Sequence, residues 1–278
     1  MTTVMNGPQE IMDALRGTAF DGHAVEEGPG GTLLVEGLDS SAMLPLWRAA
    51  REAVPVTGRW PVMTCFDYLE VQEPGPEDVA AFAAAAQALD PWVVFDGRGR
   101  ADYEAWQISS YLDACLGQGA GRRDDPRLAG ITQAGLDRWV YEQMLADPAL
   151  AARGLARGAH LSSTKNWFPE SDAQLVLLPT PAQWLAPRWL SYYGAARDKG
   201  HESLGAAILQ WEQRWGAQLV ASWGTMLQFL ASRPPVDPED AWQLAGQLMA
   251  VGTSLQHEQW ELALALPRGE AWFVHCRP

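Results

Sequence analysis

The chain has 278 residues, 47% hydrophobic and 19% charged, a balance that suits a folded globular protein and excludes a disordered or collagen-like one. Its 34 Asp and Glu against 20 Lys and Arg leave a net charge of −14, which repels phosphate backbones and anionic lipid and attracts cationic surfaces. No run approaches the about 18 apolar residues of a membrane span, and Glu10 and Asp13 stand where a signal peptide would be basic and then apolar, so a cytoplasmic chain is expected, with neither nucleic acid nor membrane as partner.

Read from the N-terminus, six short apolar or β-branched runs predict strands: Thr32 to Glu36, Pro61 to Phe66, Trp92 to Asp96, Gln174 to Leu178, Gln218 to Trp223 and Ala271 to His275. Helical periodicity fills the spaces between them. Pro76 to Leu89 turns Val79, Phe82, Ala86 and Leu89 to one side, and Asp102 to Leu116 does the same with Ala105, Ile108, Leu112 and Cys115. Leu136 to Leu145 and Pro148 to Leu155 are split by Asp147-Pro148. Glu202 to Trp215 carries the stripe Leu204, Ile208, Trp211 and Trp215 and is followed by Gly216 as a left-handed cap. A last long helix starts at Asp237-Pro238, an N-cap with proline at the first helical position, and is expected to reach about Leu255.

Two breaks divide this series. Gly117 to Asp125 combines three glycines with a charge run, and Gly158 to Asp172 is a second irregular stretch. The expected fold class is α/β or α+β, a mixed sheet flanked by helices around a tryptophan-rich core. Residues 1–170 form an N-terminal region with a helical middle, residues 171–278 a second α/β region, and the two pack as one unit. A chain of this size buries enough surface to need no disulfide or metal. Cys65, Cys115 and Cys276 are odd in number and far apart, which fits free thiols in a reducing compartment.

The segments LLPTPAQWLAPRWLSYYGA, then AAILQWEQRWGAQLVASWGTMLQFLASRPPVDPEDAWQLAGQLM, and finally AWFVHC resemble a bacterial family of domains of unknown function, number 4253, over about Leu177 to Cys276. The earlier TGRWPVM, near Thr57 to Met63, looks like a motif that precedes that domain in longer members. The resemblance implies a fold more than a reaction. Where members carry a Gly-Trp-Asn-type turn and a polar stretch, this chain reads YYGAARDKGHES and QLMAVGTSLQH, so any chemistry those residues perform elsewhere is expected to be lost here. Members occur among candidate immunity proteins of bacterial toxin systems, which implies a binding role.

Few residues point to chemistry. His257 and Glu261 stand four apart, as two ligands on one helical face would, but no second histidine completes an HExxH and no third ligand is evident, so no metal and no cofactor is assigned. His201 and Glu202 precede a helix, where a carboxylate in the first turn serves the dipole. His275 and Cys276 are strand neighbours that point to opposite faces and make no dyad. GQGAG is neither a dinucleotide fingerprint nor a P-loop, and Ser40-Ser41 and Ser162-Ser163 read as caps or loop residues. Tryptophan is abundant at 14 residues, most of them expected inside, with Trp167 in KNWFPE expected as an exposed binding anchor.

The leading expectation is an acidic protein-binding protein, an immunity protein that neutralises a basic toxin or effector. Its rivals are an enzyme of unknown reaction with a cleft gathering His201, Glu202, His257 and Glu261, and a structural module that pairs with itself.

Overall fold

The computed structural model describes residues 4–5, 7–65, 74–95, 105–117, 125–165, 167–168, 173–197 and 199–277. Seven strands form one mixed sheet: β1 (Val25–Glu27), β2 (Leu33–Val35), β3 (Trp60–Thr64), β4 (Gln174–Leu178), β5 (Ala217–Ser222), β6 (Met226–Ala231) and β7 (Ala271–His275). Their spatial order is β1-β2-β4-β3-β5-β6-β7. All neighbours are antiparallel except β3 and β5, which run parallel through the pair Met63 and Ala221. β4 thus lies between two strands that precede it by more than a hundred residues. β3 and β4, at the centre, are buried along almost their whole length, the continuous apolar pattern expected of strands covered on both faces.

The helices are α1 (Pro8–Ala14), α2 (Met43–Glu52), α3 (Val54–Thr57), α4 (Pro76–Ala88), α5 (Pro91–Phe95), α6 (Ala105–Leu116), α7 (Gln133–Ala146), α8 (Pro148–Gly158), α9 (Gly200–Trp215), α10 (Pro238–Val251) and α11 (Gln259–Ala265). α2 packs on β3, α9 on β5 and α10 on β7, while α7, α8 and α11 pack on one another. The start signals operate as their chemistry requires. Asp147 accepts from the backbone of Ala149 and Leu150 and begins α8, and Asp237 accepts from Glu239 and Asp240 and begins α10. Gly216 ends α9 in the left-handed region at φ 60°.

Of the thirteen tryptophans whose side chains are described, nine are buried and four half-buried. A buried indole N–H usually finds a hydrogen-bond partner. Trp47 donates to the Pro61 carbonyl at 2.9 Å, Trp60 to Leu219 at 3.1 Å and Trp189 to Gly30 at 3.0 Å, so these rings fasten helix to strand, strand to strand and loop to loop. The TGRWPVM motif sits among them. Gly58 takes a left-handed turn at φ 69°, which delivers Arg59 into the interior at 1% exposure. There its guanidinium donates to the carbonyls of Met5, Gly31 at 2.8 Å and Leu177 at 3.1 Å, tying the N-terminus, the β1–β2 loop and β4 to the start of β3.

Four expectations need correction. Trp92 to Asp96 is not a strand: Pro91–Phe95 is the short helix α5, because Asp90 caps the Trp92 N–H at 3.1 Å and proline takes the first helical position. The β-branched pair Val93-Val94 gives way to that start signal and to the anchoring of Phe95, which is fully buried; Asp96 lies outside the described residues. α10 stops at Val251 instead of reaching Leu255, since Gly252 passes so close to β7 that a Cβ there would meet the His275 nitrogen at 2.6 Å. Strands β1 and β6 were not expected. β1 is too short for periodicity, and β6, MLQFLA, lacks β-branched residues and is paired through a turn at Gly224, φ 70°. Trp167 is 7% exposed and packs edge-on against Phe168, which packs in turn against Trp223, so it is no surface anchor; burying the ring outweighs leaving its N–H without a partner. The GQGAG stretch lies outside the described residues apart from Gly117.

Candidate functional site

Two features stand out from the fold. The first is a chain of polar side chains threaded through α6, α7, α8 and α11. Tyr111 of α6 donates to Asp137 of α7, a carboxylate with no exposure, and accepts from the Trp260 indole at 3.0 Å. The Arg157 guanidinium lies over the Trp260 ring, 5.5 Å from its centroid, and pairs with Glu261 at 2.8 Å. Glu261 splits its two oxygens. Oε1 takes Arg157, and Oε2 meets His257 Nδ1 at 3.3 Å and the Glu258 N–H at 3.2 Å. On the far side of the ring, His257 Nε2 faces His160 Nε2 at 3.3 Å.

Local sequence explains this placement. α11 begins after Glu258, so His257 is just outside the helix and Glu261 is its third residue, whose side chain folds back over the open first turn. Burial pushes the Glu261 carboxyl up, but the bond from His257, the Glu258 N–H and Arg157 together hold it below the ordinary carboxylate value, so it is ionised at neutral pH. Burial also raises Tyr111, with Asp137 adding to the shift, and pushes the Cys115 thiol up to about 12. This is the pattern of an inert thiol, not a nucleophile. Arg153 and Arg157 complete the cluster by donating to the last carbonyls of α6, Leu116 at 2.7 Å and Ala114 at 3.3 Å.

The structure therefore brings together His257 and Glu261. No hydrogen bond, ion pair or ring contact among the described residues links them to His201 or Glu202, which open α9 half-buried. His275 and Cys276 do not pair: His275 Nε2 accepts from Arg277 at 3.3 Å, and the Cys276 sulfur meets Thr253 at 3.1 Å. Sequence reading missed His160, Arg157, Tyr111 and Asp137. His160 is 97 residues from its partner, a distance no spacing pattern covers.

The second feature is the distribution of charge. Between Gly7 and Trp47 stand seven carboxylates, Glu10, Asp13, Asp21, Glu26, Glu27, Glu36 and Asp39, all exposed, against a single cation, Arg16. Arg16 is engaged by Asp13. Among the described residues no ion pair reaches Asp21, Glu26, Glu27, Glu36 or Asp39; several instead accept hydrogen bonds from neighbours, such as Gly17 to Asp21 and Ser41 to Asp39. Elsewhere some carboxylates are paired, Glu239 with Arg138, Asp240 with Arg214 and Glu270 with Arg48, while Glu52, Glu77 and Asp78 have no ion pair among the described residues. The N-terminal acidic group lies on and around the β1 edge of the sheet, against which α1 packs.

Residues 174–275 match the model of DUF4253, a domain of unknown function, over somewhat more than a third of the chain. The match runs from β4 to β7, so it includes Glu261 and His257 but neither His160 nor the acidic edge. No curated protein and no solved structure matches the chain. Among the described residues no helix is long and apolar enough to cross a membrane.

Proposed function

We propose, for a chain whose residues 174–275 match DUF4253, that it binds a cationic protein through the acidic edge built by α1, β1 and the loops around β2, as an immunity protein that neutralises a basic bacterial toxin in the cytoplasm. The observation that carries this reading is local excess of one sign: seven exposed carboxylates between Gly7 and Trp47 with one arginine, itself already engaged by Asp13. A field of one sign concentrated on a rim raises the association rate of a cationic partner and rejects anionic ones. Met12, exposed on α1 between Glu10 and Asp13, supplies an apolar contact within the same patch. The rival enzyme reading draws on His257 and Glu261 alone.

The test is co-expression with proteins encoded by neighbouring genes, scoring rescue from toxicity and co-purification. The triple reversal Glu26→Lys, Glu27→Lys and Glu36→Lys is expected to abolish rescue and to lower the association rate at least tenfold at low salt, with the melting temperature preserved. Capture by the reversed protein as efficient as by the parent, or no neighbour that binds, sinks the proposal.

A further inference from the structure

We infer that His160 and His257 form a binding site for a divalent transition metal of the zinc class, with Glu261 orienting the second imidazole from behind. The geometry carries it. Two imidazole nitrogens bound to one tetrahedral Zn²⁺, with bonds of about 2.0–2.1 Å, lie roughly 3.3–3.4 Å apart. His160 Nε2 and His257 Nε2 are 3.3 Å apart, on rings tilted by 54° with centroids at 5.0 Å. Both Nε2 atoms can therefore address one point without movement of the rings.

The second observation lies behind the ring. Metal-bound histidines usually donate their other N–H to a carboxylate, which fixes the tautomer and strengthens the ligand. Glu261, only 6% exposed in its side chain, presents Oε2 to His257 Nδ1, while Arg157 and the Glu258 N–H hold the carboxylate in place. An ionised carboxylate can only accept, so Nδ1 of His257 carries a proton and Nε2, facing His160, is the nitrogen left for a metal. Metal binding needs His160 in its Nδ1-protonated tautomer, so a proton bridging the two Nε2 atoms in the metal-free protein moves to His160 Nδ1 when the metal enters.

No third His, Cys, Asp or Glu joins the pair among the described residues. The remaining positions are open to water or to a donor from another molecule, as in sites that exchange ligands. The site lies outside the acidic edge, so the inference stands or falls apart from the proposed function.

The test uses the whole chain, freed of metal by a chelator, titrated with Zn²⁺ alone and followed by calorimetry and by ¹⁵N resonances of the histidine rings. One Zn²⁺ per chain is expected, shifting Nε2 of His160 and His257 while Nδ1 of His257 keeps its proton. His160→Ala, at an exposed position that does not threaten folding, is expected to weaken binding at least tenfold, as is His257→Ala. Glu261→Gln, which keeps the shape but loses the charge, is expected to weaken it about 10–100-fold. Zn²⁺ that leaves both Nε2 resonances in place, or an affinity within twofold of the parent in His160→Ala, overturns the inference and assigns any binding to other side chains.

Discussion

Replacing Arg59 with methionine tests whether one buried cation holds three separate segments together. The guanidinium makes three charge-assisted hydrogen bonds to backbone carbonyls, of Met5, Gly31 and Leu177, and no carboxylate among the described residues pairs with it. Such bonds are worth about 1.5–3 kcal/mol each. Against them stands the desolvation of an unpaired charge, visible in the fall of the Arg59 pKa to about 10. Methionine keeps the packing of the aliphatic stem, removes that penalty and leaves three carbonyls without donors. The net loss is then about 3–5 kcal/mol, the range for deleting one side of a buried polar interaction. In a protein of this size that lowers Tm by roughly 6–15 °C. Lysine, with one point charge in place of a planar fork, can reach only part of the set and is expected to lose about half as much. Urea denaturation of the three proteins, with the slope unchanged, supplies the numbers. A loss below about 1 kcal/mol in Arg59→Met would refute the clamp, because the carbonyls would then be satisfied without it.

Two further outcomes follow from single close contacts. Gly252→Ala drives a methyl group to 2.6 Å from the His275 nitrogen, a backbone atom that cannot step aside without disturbing β7. A destabilisation of about 1–3 kcal/mol by urea denaturation is expected, and none would mean that α10 ends there for another reason. Thiol labelling of the native protein at pH 8 should modify the partly exposed Cys65 first, whereas Cys115, buried and with its thiol near 12, should react only at the rate of unfolding; mass spectrometry of the labelled peptides decides the order.

How much of this was legible in the residues depends on the range of the interaction involved. Local chemistry was readable: Asp237-Pro238, Asp147-Pro148 and Gly216 mark the helix ends where the structure has them, and the apolar runs of β4, β5 and β7 stand where they were read. The Trp92 run failed because two local signals compete there, β-branching in Val93-Val94 and a cap in Asp90-Pro91. Only the burial of Phe95 beside α9 decides between them. His257 and Glu261 were readable as a pair by spacing, while His160 enters through the packing of the turn after α8 against α11. Trp167 misled because its polar neighbours describe their own exposure and say nothing of the ring between them.

The place of β4 between β2 and β3 bears on how the chain emerges from the ribosome. Leu33–Val35 and Trp60–Thr64 leave the exit tunnel early, but the strand that seals both of them follows about 140 and about 110 residues later, respectively. At 5–20 residues per second, two apolar edges then wait roughly 5–30 s without their shared partner. A nascent chain in that interval is a natural client for a holding chaperone, and release factors that act before Leu178 would leave a truncated product prone to aggregate.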